Sequence, residues 1–106
     1  MIESARINEI VNRIASSFNP DKIILFGSYA TGNPNEDSDL DFILIKETDL
    51  PKQRRGLDVR KLFYRVPIPM DFKIYTSKEF NDEIENKFSF LNSALIGSKV
   101  LYERKN

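Results

Sequence analysis

The longest apolar runs of this 106-residue chain are only four residues long, and they constrain the fold more than any other feature. They cover residues 23–26 and 42–45, and Gly27 and Lys46 follow them directly. Spanning a membrane takes about 20 apolar residues, so we expect a soluble protein that does not enter the membrane. Short apolar runs between turn-forming segments are typical of buried strands. We therefore predict two buried strands, at residues 22–26 and 40–45.

Two further segments have the apolar spacing of helices. Ile7, Ile10, Val11 and Ile14 predict a helix over residues 2–17, which Pro20 follows. Residues 50–65 are predicted to form a second helix, and Pro67 and Pro69 end it. Its expected apolar stripe consists of Leu57, Leu62, Phe63 and Val66.

The remaining segments complete an α/β (α+β) domain. Residues 70–76 alternate between apolar and polar side chains, as in a strand with one functional face. Thr76 is a predicted N-cap with Glu79 at the third helical position, and one or two helices run from there to residue 96. A last short strand is predicted near residues 100–102. We predict a single domain over residues 1–106, with a small mixed sheet of three to four strands flanked by helices.

Composition excludes several kinds of chemistry. The chain has no cysteine and no histidine, which rules out disulfides, thiolate or imidazole metal sites and Ser-His-Asp catalysis. Sixteen acidic and sixteen basic residues give a net charge of zero. Proteins that bind nucleic acids directly are typically basic, so we expect no direct nucleic-acid binding here. The charged N-terminal segment does not have the pattern of a signal peptide. We expect a cytoplasmic protein.

Charge is distributed unevenly along this neutral chain. Residues 36–49 contain six acids and one base, and residues 52–65 contain six bases and one acid. Two solvated faces would explain this pattern. An acidic metal-binding cluster beside a basic helix that contacts phosphate or an acidic partner would explain it equally well.

Three aspartates have the placement of metal ligands. Asp39 and Asp41 lie two residues apart at the start of a predicted strand, so their side chains share one face of the sheet. Neighbouring carboxylates repel each other, and Mg²⁺ would relieve that repulsion while also binding substrate phosphates. Asp71 lies near the start of the third predicted strand. If the sheet places it beside the other two, the three carboxylates can hold two magnesium ions for a two-metal reaction.

A glycine and a serine have the placement of a phosphate site. Gly27 directly follows a buried strand, and without a side chain its backbone can approach a ligand closely. If Ser28 opens a helical turn, the amides of Ser28 and Tyr29 and the serine hydroxyl would bind an anion. A phosphate site on one strand and a metal site on the next together indicate a magnesium–nucleotide site.

Two competing motifs fail at defining positions. A Walker A loop requires Lys-Ser or Lys-Thr after its second glycine, whereas Asn33 and Pro34 follow Gly32. An EF-hand loop starting at Asp37 would require glycine and glutamate where Phe42 and Thr48 stand.

The combination of these residues resembles the minimal nucleotidyltransferase family of the DNA polymerase beta superfamily. The resemblance covers nearly the whole chain and includes the segments KIILFGSYATG, SDLDFILI, PMDFKIYT and GSKVLYER. It implies that Gly27 and Ser28 hold the phosphates of a nucleotide. It also implies that Asp39 and Asp41 bind both metals, and that Asp71 completes one metal site and helps to deprotonate the acceptor.

The resemblance also implies an activity and a partner. Family members transfer a nucleoside monophosphate, commonly AMP from ATP, to a hydroxyl and release pyrophosphate. Minimal members act as antitoxins of helical HEPN proteins, either by binding the toxin or by adenylylating one of its tyrosines. We therefore expect ATP, two Mg²⁺ ions and a HEPN-type partner. The alternatives are an inactive antitoxin that neutralises its partner by contact, and a small α/β domain with an acidic loop.

One position departs from the family pattern. An arginine often precedes the second glycine in the family, and this chain has Thr31 there. The departure implies that a triphosphate contact is lost or is supplied from the basic segment, with Arg54, Arg55 and Arg60 as candidates.

Overall fold

The structure, a computed structural model, describes residues 1–105 and contains a four-stranded sheet with helices on both faces. Among these residues no helix has the length and apolar character needed to cross a membrane. In chain order the elements are α1 (Ser4–Ser17), β1 (Lys22–Phe26), α2 (Ser28–Thr31), β2 (Leu40–Ile45), a 3-10 helix (Lys52–Arg54), α3 (Gly56–Lys61), β3 (Met70–Tyr75), α4 (Ser77–Ile84), α5 (Phe90–Leu95) and β4 (Lys99–Glu103).

The sheet is mixed, as predicted. Its strand order is β3-β2-β1-β4. Strand β1 runs antiparallel to both β2 and β4, whereas β2 and β3 are parallel. A parallel pair requires a crossover connection, and the 3-10 helix and α3 lie within it. The α/β fold with three to four strands is therefore confirmed.

Side chains alternate between the two faces of the sheet. On one face, residues such as Leu25, Phe42 and Phe72 join the buried residues of α1 and α3 in the larger apolar cluster. On the other face, Ile43 and Tyr75 form a smaller cluster with side chains of α4 and α5. Strands β1, β2 and β3 thus contribute side chains to both helical layers, whereas β4 contributes to the larger cluster only.

The prediction of a single helix over residues 50–65 is wrong in its extent. It is divided into the 3-10 helix and α3, with Gly56 at the junction and turns after Lys61. Glycine is a poor helix former, and Leu57, expected in the apolar stripe, is 52% exposed. Val59 is buried in its place.

Arg55 helps to fix this segment to the sheet, together with the buried apolar side chains of Val59 and Phe63. Its side chain is buried, 8% exposed, and donates to the backbone carbonyl oxygens of Leu50 and Ile74. It also forms a two-pronged ion pair with Glu79, at 2.6 Å and 3.1 Å. The prediction that Arg55 could contact a phosphate is wrong, because its guanidinium is buried and already bonded to Leu50, Ile74 and Glu79.

Glu79 also caps α4. Its carboxylate accepts from the backbone N–H of Thr76 at 2.9 Å, while the Thr76 hydroxyl accepts from the backbone N–H of Glu79, which completes a capping box. The predicted N-cap at Thr76 is confirmed. The hydrogen bond from Arg55 and the backbone bond at Thr76 lower the pKa of Glu79 from 4.5 to about 2.

We expect Glu79→Gln to lower the free energy of unfolding by about 2 kcal/mol at pH 7, because the buried guanidinium of Arg55 loses its counter-charge. Urea unfolding of the variant measures the loss. Glu85→Gln, at the exposed C-cap of α4, is the control and should change stability by less than about 0.5 kcal/mol. Equal losses in the two variants would contradict the role of the ion pair.

The same ion pair predicts a specific acid sensitivity. The pKa of Glu79 is lower in the folded chain than its ordinary value of 4.5, so its contribution to stability is fully present above about pH 4.5. That contribution is lost as the pH falls through 4.5 towards about 2. Unfolding measured between pH 5 and pH 2 should therefore be less steeply dependent on pH in Glu79→Gln than in wild type. Parallel pH profiles would rule out this linkage.

Candidate active site

The pairing of β2 with β3 places two predicted metal ligands side by side. Asp41 is the direct register partner of Asp71 in the parallel pair. Both alternate with Phe42 and Phe72, which belong to the opposite face, so both carboxylates lie on the α4/α5 face of the sheet. Asp39 is exposed immediately before β2. The structure therefore brings all three aspartates to one end of the sheet.

The carboxylates influence each other electrostatically. The pKa of Asp41 is raised, first by burial and then by the negative charges of Asp71 and Asp39, while the charge of Lys73 opposes the rise. Burial and like charge both disfavour an ionised carboxylate. A divalent cation at this place would therefore stabilise the ionised form of Asp41.

Lys73 lies between the carboxylates and the helical layer. Its ammonium is 3.5 Å from the Asp71 carboxylate and 5.8 Å from the ring centre of Phe90, at the start of α5. The Phe90 ring packs edge-on against Phe26, the last residue of β1, with centres 5.7 Å apart. Aromatic packing thus forms the border of the site, and Lys73 connects this border to Asp71.

Gly27 lies directly against Asp41. Its φ of +78° is in the region that glycine adopts most easily. A Cβ atom added at Gly27 would overlap the Asp41 carboxylate, with the Cγ atom only 3.3 Å away. The antiparallel register explains this approach, because Phe26 pairs with Asp41. Only a residue without a side chain fits here while the carboxylate keeps its position.

Ser28 does open a helical turn, the short helix α2. The backbone N–H groups of Ala30 and Thr31 both donate to the Gly27 carbonyl oxygen at 3.1 Å. The N–H groups of Ser28 and Tyr29 occupy the first turn of α2, where no preceding helical carbonyl is available. These amides follow Gly27 and adjoin the carboxylate end of the sheet.

Thr31 is anchored within this turn. Its hydroxyl donates to the carbonyl oxygens of Gly27 and Ser28 at 3.4 Å and 3.3 Å. Its methyl carbon lies 2.9 Å from where a Cβ atom of Gly97 would stand. Thr31 therefore packs against the turn between α5 and β4.

The two remaining basic candidates for a phosphate contact, Arg54 and Arg60, have exposed side chains on the crossover.

The donor set fits Mg²⁺ in its chemistry. Carboxylate oxygens are its preferred protein ligands. The pKa of Asp41 is raised first by burial and then by the charges of Asp71 and Asp39, and a bound cation would offset this rise. Within residues 1–105, however, no three acidic side chains are already grouped as a ligand set. Asp71 is paired with Lys73 instead. The register supplies the positions, and the side chains must reorient to surround a metal.

The position of Lys73 beside the carboxylates follows from the sequence, whereas the position of Phe90 does not. Lys73 shares a face with Asp71 because the two residues are two apart on a strand. Phe90 comes from a helix 17 positions beyond Lys73, and its position depends on how α5 packs over β1. No local pattern in the sequence signals that contact.

Comparison with known families identifies the class of protein. The profile of the nucleotidyltransferase domain family matches residues 5–96, which is most of the chain. The protein therefore belongs to the nucleotidyltransferase family, and the resemblance stated from the motifs is confirmed.

Similar proteins occur in the archaeon Methanocaldococcus jannaschii. One, named as a candidate protein adenylyltransferase, MJ0604, is 32% identical over 105 residues, covering 96% of this chain and all of the relative. A second, MJ0141, carries the same kind of name and is 39% identical over 72 residues, covering 62% of this chain and 73% of the relative.

Solved structures share the fold. A candidate nucleotidyltransferase from Sulfolobus solfataricus has a TM-score of 0.63 at 20% identity, covering 92% of this chain and 78% of its own. A toxin–antitoxin solved with AMP-PNP has a TM-score of 0.62 at 20% identity, with coverages of 92% and 73%. A mutant of the MntA–HpeT toxin–antitoxin, in which two aspartates two positions apart are replaced by glutamate, has a TM-score of 0.62 at 18% identity, with the same coverages.

The contact between Gly27 and Asp41 can be tested against a matched glycine. Gly27→Ala should lower the free energy of unfolding by at least about 2 kcal/mol and displace the Asp41 carboxylate, because a positive φ and an overlap act together. Gly32→Ala shares the positive φ, but its Cβ would meet nothing within 4 Å. It should cost only about 1 kcal/mol. Urea unfolding compares them, and equal losses would show that the overlap is unimportant.

Proposed function

We propose that this protein is a magnesium-dependent adenylyltransferase that transfers AMP from ATP to a hydroxyl of a partner protein and releases pyrophosphate. We further propose a tyrosine of a HEPN-type toxin as the acceptor. The observation that carries the proposal is the register that sets Asp41 beside Asp71 and against the backbone of Gly27. Gly27, Asp41 and Asp71 are thereby adjacent although they are far apart in sequence.

The relatives support each part of the proposal separately. Adenylyl transfer to protein is the activity in the names of the two archaeal relatives. A nucleotide analogue is present in a toxin–antitoxin of the same fold. The MntA–HpeT mutant is altered at two aspartates with the spacing that Asp39 and Asp41 have in this chain. These likenesses support ATP as the donor and a toxin as the partner.

In the proposed site, Asp39, Asp41 and Asp71 hold Mg²⁺, and Gly27 and Ser28 bind the triphosphate. Mg²⁺, when bound, neutralises charge on the phosphates and polarises the α-phosphoryl group. The Gly27 backbone lets the phosphates approach the carboxylates without a side chain between them. The first amides of α2 and the Ser28 hydroxyl donate hydrogen bonds to phosphate oxygens.

The acceptor hydroxyl is the nucleophile of the proposed reaction. Its oxygen forms a bond to the α-phosphorus of ATP, and the bond from that phosphorus to the bridging oxygen of the β-phosphate breaks. Pyrophosphate leaves with the electron pair of the broken bond. Asp71 is the proposed base that accepts the hydroxyl proton, since it lies at the edge of the cluster on the outermost strand of this side of the sheet.

A second candidate function is neutralisation of the partner by contact alone. It is favoured by two large apolar side chains, Phe88 and Ile96, which are 87% and 78% exposed. They line an open groove of about 460 Å³ beside α5. Exposed apolar clusters of this kind mark protein interfaces. A complex that forms and neutralises the toxin after loss of all three aspartates would support this function over catalysis.

The catalytic proposal predicts that Asp39→Asn and Asp41→Asn each reduce label transfer from α-labelled ATP to a purified HEPN-type partner by about 100-fold or more, because each removes a metal ligand worth several kcal/mol. Asp37→Asn, in the same acidic loop but outside the cluster, is the control and should transfer at the wild-type rate. Circular dichroism and thermal unfolding check that every variant folds. Wild-type transfer by both Asp39→Asn and Asp41→Asn would rule out the assignment.

A further inference from the structure

Lys73 is the one basic side chain that the structure pairs with a proposed metal ligand among residues 1–105. Its ammonium lies 3.5 Å from the Asp71 carboxylate. Both side chains are partly exposed, at 46% and 38%, so the pair is accessible to ions from solution. Two positive charges beside one carboxylate repel each other, and so the ammonium of Lys73 would weaken the binding of a metal ion at Asp71.

The location of Lys73 is fixed by packing as well as by charge. It projects from β3 on the α4/α5 face, in register with the buried Ile43 of β2. Its ammonium also lies 5.8 Å from the ring centre of Phe90, within the range of a cation–π contact. Phe90 in turn rests on Phe26. The ring therefore offers the ammonium a second favourable partner when a metal replaces it at Asp71.

We propose that Lys73 is a resident counter-ion of the carboxylate cluster, and that its displacement from Asp71 sets the affinity of the site for divalent cations. This inference rests on the proposed function, because it assumes that Asp39, Asp41 and Asp71 are the metal ligands. Without metal, the ammonium offsets the repulsion among the three carboxylates. When metal enters, Asp71 exchanges the ammonium for the cation, and the lysine remains against Phe90.

A neutral side chain at position 73 should therefore have two opposite effects. In metal-free protein the carboxylates lose their counter-charge, so the folded state becomes less stable. In the metal-bound protein the competing charge is gone, so a divalent cation binds more tightly. A purely structural lysine would show the first effect without the second, which makes metal affinity the decisive readout.

The test is the affinity for Mn²⁺ alone, measured by electron paramagnetic resonance on wild type, Lys73→Met, Lys73→Arg and Lys52→Met. Methionine keeps an unbranched apolar stem without the charge. We expect Lys73→Met to bind Mn²⁺ about three- to tenfold more tightly and to unfold at a lower temperature in EDTA. Lys73→Arg should restore wild-type behaviour. Lys52→Met is the matched control. The ammonium of Lys52, which belongs to the 3-10 helix, lies 5.2 Å from the ring centre of Tyr75, two residues beyond Lys73 on β3.

Each outcome decides the inference. Tighter Mn²⁺ binding in Lys73→Met alone supports the counter-ion, whereas unchanged or weaker binding in a folded Lys73→Met protein overturns it and leaves the proposed function intact. An equal gain in Lys52→Met would show only a general charge effect and also overturn it. If wild type itself binds no Mn²⁺ and no magnesium nucleotide, the metal site fails, and the proposed function and the inference fall together.

Discussion

The pairing of three strands at one end of the sheet is the constraint on which the site depends. Backbone hydrogen bonds fix β2 against β3 and β1 against β2, and this register makes Asp41 the neighbour of Asp71 and of Phe26. A shift of one residue would turn every side chain of a strand to the other face. The buried apolar rows on both faces prevent such a shift, so the core of the protein specifies where the carboxylates meet.

The two ends of the sheet have different roles. At one end, Arg55 and Glu79 tie the crossover to α4 through an ion pair in which the arginine is buried and also donates to the Ile74 carbonyl oxygen. At the other end, like charges are concentrated on Asp39, Asp41 and Asp71, and Lys73 is the basic side chain that offsets them within residues 1–105. The opposite charges of Arg55 and Glu79 stabilise the fold, whereas the unbalanced carboxylates form the cation site that we propose. Such repulsion costs stability and is typical of functional sites.

The sequence predicted the sheet well because its signals are local. Apolar runs and alternation set β1, β2 and β3 to within one residue, and the spacing of Asp39 and Asp41 needed no tertiary information. The crossover was harder to predict. Arg55 belongs to a basic segment whose sequence fits a solvated helix and a phosphate-binding helix equally well. Its structural role depends on two partners that are distant in sequence, the Ile74 carbonyl oxygen and Glu79. The contact of Lys73 with Phe90 is likewise tertiary.

We propose that these carboxylates and the Gly27 turn form one magnesium–nucleotide site. Calorimetric titration with a non-hydrolysable ATP analogue, with and without Mg²⁺, tests this most directly when wild type is compared with the Asp39→Asn/Asp41→Asn double variant. We expect wild type to bind the analogue only when Mg²⁺ is present, and we expect the double variant to lose this binding. Binding that is independent of Mg²⁺, or that persists unchanged in a folded double variant, would contradict it.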